Sequence, residues 1–349
     1  MKFKLSQKDE DKLIALLDRR NINMDIANLY NDLFNYGLEE DESFVLEDIL
    51  DNLGYDLSDE ETKDIIAQYK VLDIKPYEIS DYKDNIYYKL INPKHYKKDN
   101  VELGYYQYNP YQLFLSDEII VDKNNNYQEL IKASYFKESF SFLALAKNNN
   151  VWMSITPHEI NTMQESIDIV KGQVIVAGLG LGYYPFMVSN KNNVDKVTVL
   201  EKDREIIDLF NKNLLPLFPN KNKIEIIYTD AFDYLKNNKA DYYFVDLWHD
   251  TIDGLPLYIK AKQILKDNDH AHYWIEKSLI TGFRRLLLCL IDEEYFMNTS
   301  DDDYKTCQSS DEKILKKLHY LLKEKEINNY KDILALISDE SIDELINKI

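Results

Sequence analysis

The sequence predicts an α/β fold: a doubly wound, mostly parallel sheet, preceded by a β-hairpin region and flanked by helical N- and C-terminal extensions. Three observations carry this. Short apolar runs at 174–177, 197–200, 224–228 and 242–245 alternate with helix-length segments, the pattern of successive βαβ units. Gly178, Gly180 and Gly182 follow the first run directly, and with Gly172 they place four of the chain's nine glycines within eleven residues. The second, third and fourth runs each lead into a carboxylate, Glu201, Asp230 and Asp246.

From the N-terminus, apolar residues recur every three or four positions over 6–17, 26–34 and 43–53, predicting three helices, the third stopped by Gly54. Ser58, Asp59, Glu60 and Glu61 read as a capping box that starts a fourth. Residues 76–112, rich in Tyr, Lys and Asn and containing Pro76, Pro93 and Pro110, read as irregular connections. Residues 141–146 alternate with period two, Asn148, Asn149 and Asn150 offer a turn, and 151–155 return, which makes a hairpin.

Thr156, Pro157, His158 and Glu159 read as another capping box, with proline at the first helical position, and Ile160, Met163, Ile167 and Val170 supply a buried stripe. The glycine turn opens a helix at Tyr183, Tyr184 and Pro185. After the fourth strand, 255–265 read as helix, 272–276 as a fifth strand, and 278–290 as a helix whose Arg284 and Arg285 read as a solvated face, with an acidic substrate as the alternative partner. No sixth or seventh strand is legible beyond residue 295. Ile314, Leu315, Leu318, Leu321 and Leu322 form an apolar stripe that 333–349 repeat more loosely; such stripes pack on their own domain or, alternatively, against a second copy in a homo-oligomer.

An apolar strand running into Gly-x-Gly-x-Gly lets a nucleotide-like cofactor approach the backbone, because a side chain there would occupy its space. Glu201 lies roughly 20 residues on, where an acid meets the two hydroxyls of a ribose. Asp230, with Ala231 beside it, and Asp246 stand at the carboxyl edge of the sheet, where open α/β folds bind ligands. Each carboxylate alone reads as a strand-ending turn residue; three in register beside a glycine loop read as a cofactor site. A dinucleotide fingerprint counted from Gly178 requires a small residue at position 183, which is Tyr183.

This arrangement resembles the class I S-adenosylmethionine-dependent methyltransferase superfamily, and within it the spermidine synthase branch. The branch is suggested by apolar Val176 before the glycines, by Asp246, Leu247, Trp248, His249 and Asp250 followed by Gly254, Leu255 and Pro256, and by the hairpin ahead of the helix. The resemblance covers roughly residues 130–290. It implies a Rossmann-like domain over 156–295, with a helical region at 1–90, a connecting region with the hairpin at 91–155, and a helical extension at 296–349. It also implies S-adenosylmethionine as cofactor: Gly178, Gly180 and Gly182 facing its methionine part, Glu201 holding the ribose, Asp230 and Ala231 near the adenine.

The pattern departs from the branch at Leu181, where aminopropyltransferases carry an aspartate for the amine of decarboxylated cofactor, and around Trp152 and Met153, where they carry a glutamine. The implied reaction is therefore methyl transfer to a small-molecule or protein acceptor. Aminopropyl transfer and a noncatalytic nucleotide-fold binding module are the alternatives. Transfer from a sulfonium is an in-line displacement in which the protein aligns the reactants and, for an amine, accepts a proton. Asp246 is the candidate for this. His249 is either a second base, by virtue of its ordinary pKa, or a loop histidine packed by Trp248. Asp250 reads as a loop cap. His158 and Glu159, at the start of a helix that borders the substrate cavity in the resembling family, are candidates for substrate contact.

Composition sets the outer limits. A chain of 349 residues, 45% apolar, can bury a core. A net charge of −20 argues against a nucleic-acid partner, which requires clustered cations, and favours a cationic substrate. No Asn-Pro-Pro-Tyr motif of nucleic-acid amino methylation follows the fourth strand. Cys289 and Cys307 lack disulfide and metal spacing, so no metal is expected. Without a signal-like start or a membrane-length apolar run, the expected location is cytoplasmic, with no membrane partner.

Overall fold

In the computed structural model, which describes residues 1–33, 54, 56–69, 74–297, 299, 301, 304 and 308–349, the first long element is helix α1 (Gln7–Leu33). It buries Leu13, Leu16, Leu17 and Ile26. The sequence predicts two helices here, over 6–17 and 26–34, with a gap that contains Asn23. The helix nevertheless runs through, since the buried Asn23 amide donates to the Tyr127 carbonyl at 3.0 Å and accepts from the Glu129 N–H at 3.1 Å. A buried polar group costs little once it is hydrogen-bonded. The helix expected over 43–53 lies outside the described residues. The next described helix, Glu60–Tyr69, follows Ser58, whose hydroxyl and N–H both go to the Asp56 carboxylate instead of capping the helix.

Residues 76–112 are more regular than their composition suggests. Strands β1 (Tyr96–Lys98) and β2 (Val101–Tyr108) join β3 (Phe140–Lys147) and β4 (Asn150–Ser154) in one antiparallel sheet of order β4-β3-β2-β1. Strand β2 pairs with β3 along its whole length, from Val101 opposite Lys147 to Tyr108 opposite Phe140. Gly104 and the Lys- and Asn-rich flanks hid this strand: its pairing partner lies some forty residues away in sequence, so no local hairpin marks it. The predicted hairpin β3–β4 turns through Asn148 and Asn149, both with positive φ (54° and 64°), the geometry that matches strand twist. A register shift between Val151 and Met153 interrupts β4 at Trp152.

Helix α2 (Pro157–Ile169) leads to the central layer. There β5 (Gly172–Ala177), helix α3 (Tyr183–Ser189), β6 (Val194–Glu201), helix α4 (Arg204–Asn213), β7 (Ile224–Tyr228), helix α5 (Ala231–Leu235), β8 (Tyr242–Val245), helix α6 (Thr251–Leu265) and β9 (Ala271–Tyr273) alternate. All pairings are parallel and the order is β7-β6-β5-β8-β9, the doubly wound arrangement. Val174 to Ala177 and Tyr242 to Val245 are buried on both faces, which explains their unbroken apolar runs. Strand β9 is shorter than expected, because Ile275 turns into the left-handed region (φ 49°) and helix α7 (Glu276–Tyr295) begins.

Beyond α7 the chain adds α8 (Ser310–Leu322), α9 (Tyr330–Leu336) and α10 (Asp339–Ile346), and among the described residues the central sheet keeps five strands. Ile314, Leu315, Leu318 and Leu322 are buried, whereas Leu321 faces out. The two extensions meet each other: Lys2–Phe3 pairs in parallel with Glu326–Ile327. Arg284 and Arg285 are neither a solvated face nor open to a substrate. Arg284 donates to the Ile337 carbonyl at 2.9 Å and pairs with Asp339, while Arg285 binds both oxygens of buried Glu129, its Nε at 2.7 Å. No helix among the described residues is long and apolar enough to cross a membrane.

Candidate functional site

The order β6-β5-β8 puts the reversal of winding between β5 and β8, and ligands bind outside the carboxyl ends of strands at such a point. Register aligns those ends: Ala177 stands opposite both Leu200 and Val245, so the residues that follow, Gly178, Glu201 and Asp246, emerge side by side. A cavity of about 600 Å³ opens there. Gly178, Gly180, Gly182, Glu201, Asp230, Ala231, Asp246 and His249 all line it.

The glycines serve different purposes. A Cβ on Gly178 (φ 102°) would sit 1.8 Å from the Asp246 carbonyl oxygen, so this glycine permits the close approach of β8. A Cβ on Gly182 (φ 77°) would meet the Phe210 ring at 2.4 Å, so this one permits packing beneath the loop. Only at Gly180 is the space open, with Met153 Sδ the nearest atom at 4.0 Å. All three line the cavity, but the space a side chain would take opens into it only at Gly180. The other two are required by the protein's own neighbours.

Glu201 is held by its own turn. Its Oε1 accepts the N–H groups of Lys202 and Asp203, each at 2.8 Å, and Oε2 faces the glycine loop, 3.3 Å from the Leu179 N–H. Asp230 caps α5 through the Asp233 N–H at 3.1 Å, so it does structural work wherever else it reaches. Asp246 has no side-chain hydrogen bond among the described residues; burial first, and the Glu201 charge second, push its carboxyl up to about 7.

His249 sits at the rim, half exposed. Its Nδ1 is 2.8 Å from the Asp253 carboxylate and its ring meets Trp152 edge-on at 4.7 Å. Asp250 caps α6 by a reciprocal box with Asp253, and the helix starts at Thr251, ahead of the expected 255. Gly254 lies within this helix with Trp248 packed directly on its backbone: a Cβ there would sit 2.9 Å from the indole.

The capping box expected at Thr156 is absent. Thr156 is the N-cap in extended backbone, without a side-chain cap bond. Glu159, freed from that role, lines the cavity. Burial first and the Asp246 charge second hold its carboxyl well above the usual range. His158 does not line the cavity: it packs edge-on against Trp274 at 5.9 Å, and burial lowers its pKa to about 4. Sequence reasoning had no signal for Trp274, yet it lines the cavity with Trp152 and Trp248, so all three tryptophans of the chain meet here. Among the described lining residues Lys202 is the only lysine or arginine, and no group of described residues is arranged to hold a metal ion. The arrangement is an acidic, aromatic cavity suited to a cation with an apolar body.

No family model matches the chain, and no curated protein matches it. Among solved structures, a spermidine synthase from Thermotoga maritima is similar at 14% identity and a TM-score of 0.28, over 48% of this chain and 68% of that one. A spermidine synthase in complex with the transition state analogue AdoDATO is similar at 16% identity and a TM-score of 0.29, over 44% of this chain and 61% of that one. At this level the likeness adds nothing to the strand order, which defines the fold.

Proposed function

We propose that the protein is an S-adenosylmethionine-dependent methyltransferase acting on an amine of a small molecule or protein side chain. One observation carries the reading: the glycine loop, Glu201 and Asp246 emerge in register at the reversal point of the sheet, around one cavity. The residues fit such a cofactor. The space above Gly180 admits a ligand, and Glu201 Oε2 has lone pairs left for ribose hydroxyls. Bound there, the cofactor supplies an electrophilic carbon on a sulfonium. Asp246 faces that charge and takes the proton an amine must lose; its raised pKa matches proton transfer near neutrality.

A second reading, aminopropyl transfer from decarboxylated cofactor, is favoured by the wall itself. A methionine carboxylate would face Glu159 and Asp246 with Lys202 the only lysine or arginine among the described lining residues. Leu181, where the resembling branch carries an aspartate, weighs against it. Calorimetric titration separates the two: tight S-adenosylhomocysteine binding supports methyl transfer, and preference for decarboxylated S-adenosylmethionine supports aminopropyl transfer. Binding of neither would leave a noncatalytic binding module.

A further inference from the structure

Glu159 stands at the third position of α2, where a glutamate normally folds back to the N-cap N–H. Here it does not. The Thr156 side chain makes no cap bond, and the Glu159 carboxylate lines the same cavity as Asp246. Neither carboxylate has a hydrogen-bond partner among the described residues, and the Asp246 charge acts on Glu159. Two unpartnered, half-buried acids in one cavity do not both ionise cheaply, so together they retain a proton until a cation or a basic group arrives. Strands from the sheet place Asp246, and an independent element, α2, brings Glu159 to the same cavity, which Trp152, Trp248 and Trp274 also line.

We propose that Glu159 is a second catalytic carboxylate, which with Asp246 binds the acceptor's ammonium group and takes up the proton released in transfer. This rests on the cofactor reading above. The balance is simple: the neutral amine nitrogen forms the new N–C bond, the C–S electron pair leaves with sulfur as a thioether, and the surplus N–H proton passes to the carboxylate pair.

The test uses the full chain with S-adenosylhomocysteine bound and n-butylamine hydrochloride as probe, read by the fluorescence of the three tryptophans against sodium chloride at equal ionic strength. Wild type is expected to respond saturably. Glu159→Gln is expected to raise the half-saturating amine concentration about tenfold or more, the loss of a charged hydrogen bond, while S-adenosylhomocysteine affinity stays within about threefold. Glu159→Asp, which keeps the charge but shortens the reach, should fall between, and it substitutes for the amide variant if that one fails to fold. No saturable response in wild type, or equal half-saturation in wild type and variants, overturns the role of Glu159 and leaves the cofactor reading intact. Failure of wild type to bind S-adenosylhomocysteine overturns the cofactor reading instead, and the amine titration of the free protein then still decides the fate of Glu159.

Discussion

A carboxyl group raised to about 7 acts on stability as well as chemistry. In the unfolded chain Asp246 releases its proton near pH 4, so between about pH 4 and 7 the folded state holds a proton the unfolded state has lost. Stability from this group is present below pH 4 and is lost as pH rises through 7, up to about 4 kcal/mol if no water relaxes the site. Thermal melts at pH 5 and pH 8 check this: wild type should weaken between them more than Asp246→Asn, and equal slopes would remove the buried-carboxylate account. The same variant should bind S-adenosylhomocysteine nearly as wild type does but turn over more slowly. Glu201→Ala should weaken that binding by about 1–3 kcal/mol, the cost of unpaired buried hydroxyls; normal calorimetric affinity would mean the ribose lies elsewhere. The glycines separate by what each would strike. Gly178→Ala should fail to fold or melt far below wild type, because its Cβ meets fixed backbone, whereas Gly180→Ala should fold and lose ligand affinity. The carboxylates were legible in the sequence because each follows its strand. The division of labour among the glycines was not, since Phe210 and the Asp246 carbonyl reach them only through the packing of other elements.

At the scale of elements, helix starts were misread where a side chain found a better partner. Helix α6 begins at Thr251, ahead of the expected 255, because Asp250 and Asp253 satisfy its first N–H groups reciprocally. Asp250→Ala should therefore cost about 1 kcal/mol in denaturant unfolding, with cofactor affinity little changed. At Thr156 the opposite happened: a sequence with the pattern of a capping box has its N-cap residue in place but no side-chain cap bond, and its Glu159 lines the cavity. Local patterns state which residues are able to cap. Whether they do depends on the fold around them.

At the scale of the molecule, α7 is the beam to which both ends of the chain are tied. Glu129 is buried and its carboxylate is held by Arg285, so Arg285→Met leaves an unpaired buried charge and should destabilise by roughly 3 kcal/mol. The double variant Arg285→Met with Glu129→Met should recover much of that loss in denaturant unfolding. If the two single effects simply add, the pair is not coupled. The sequence by itself determined the alternating strands and helices, the glycine loop and the acids that end the strands, because these depend on local periodicity and on chain order. Only the tertiary structure decided the single long α1, the β1–β2 addition to the hairpin, and the joining of the two ends. Each of those depends on a partner distant in sequence, and burial without such a partner would have been too costly for the side chain to adopt it.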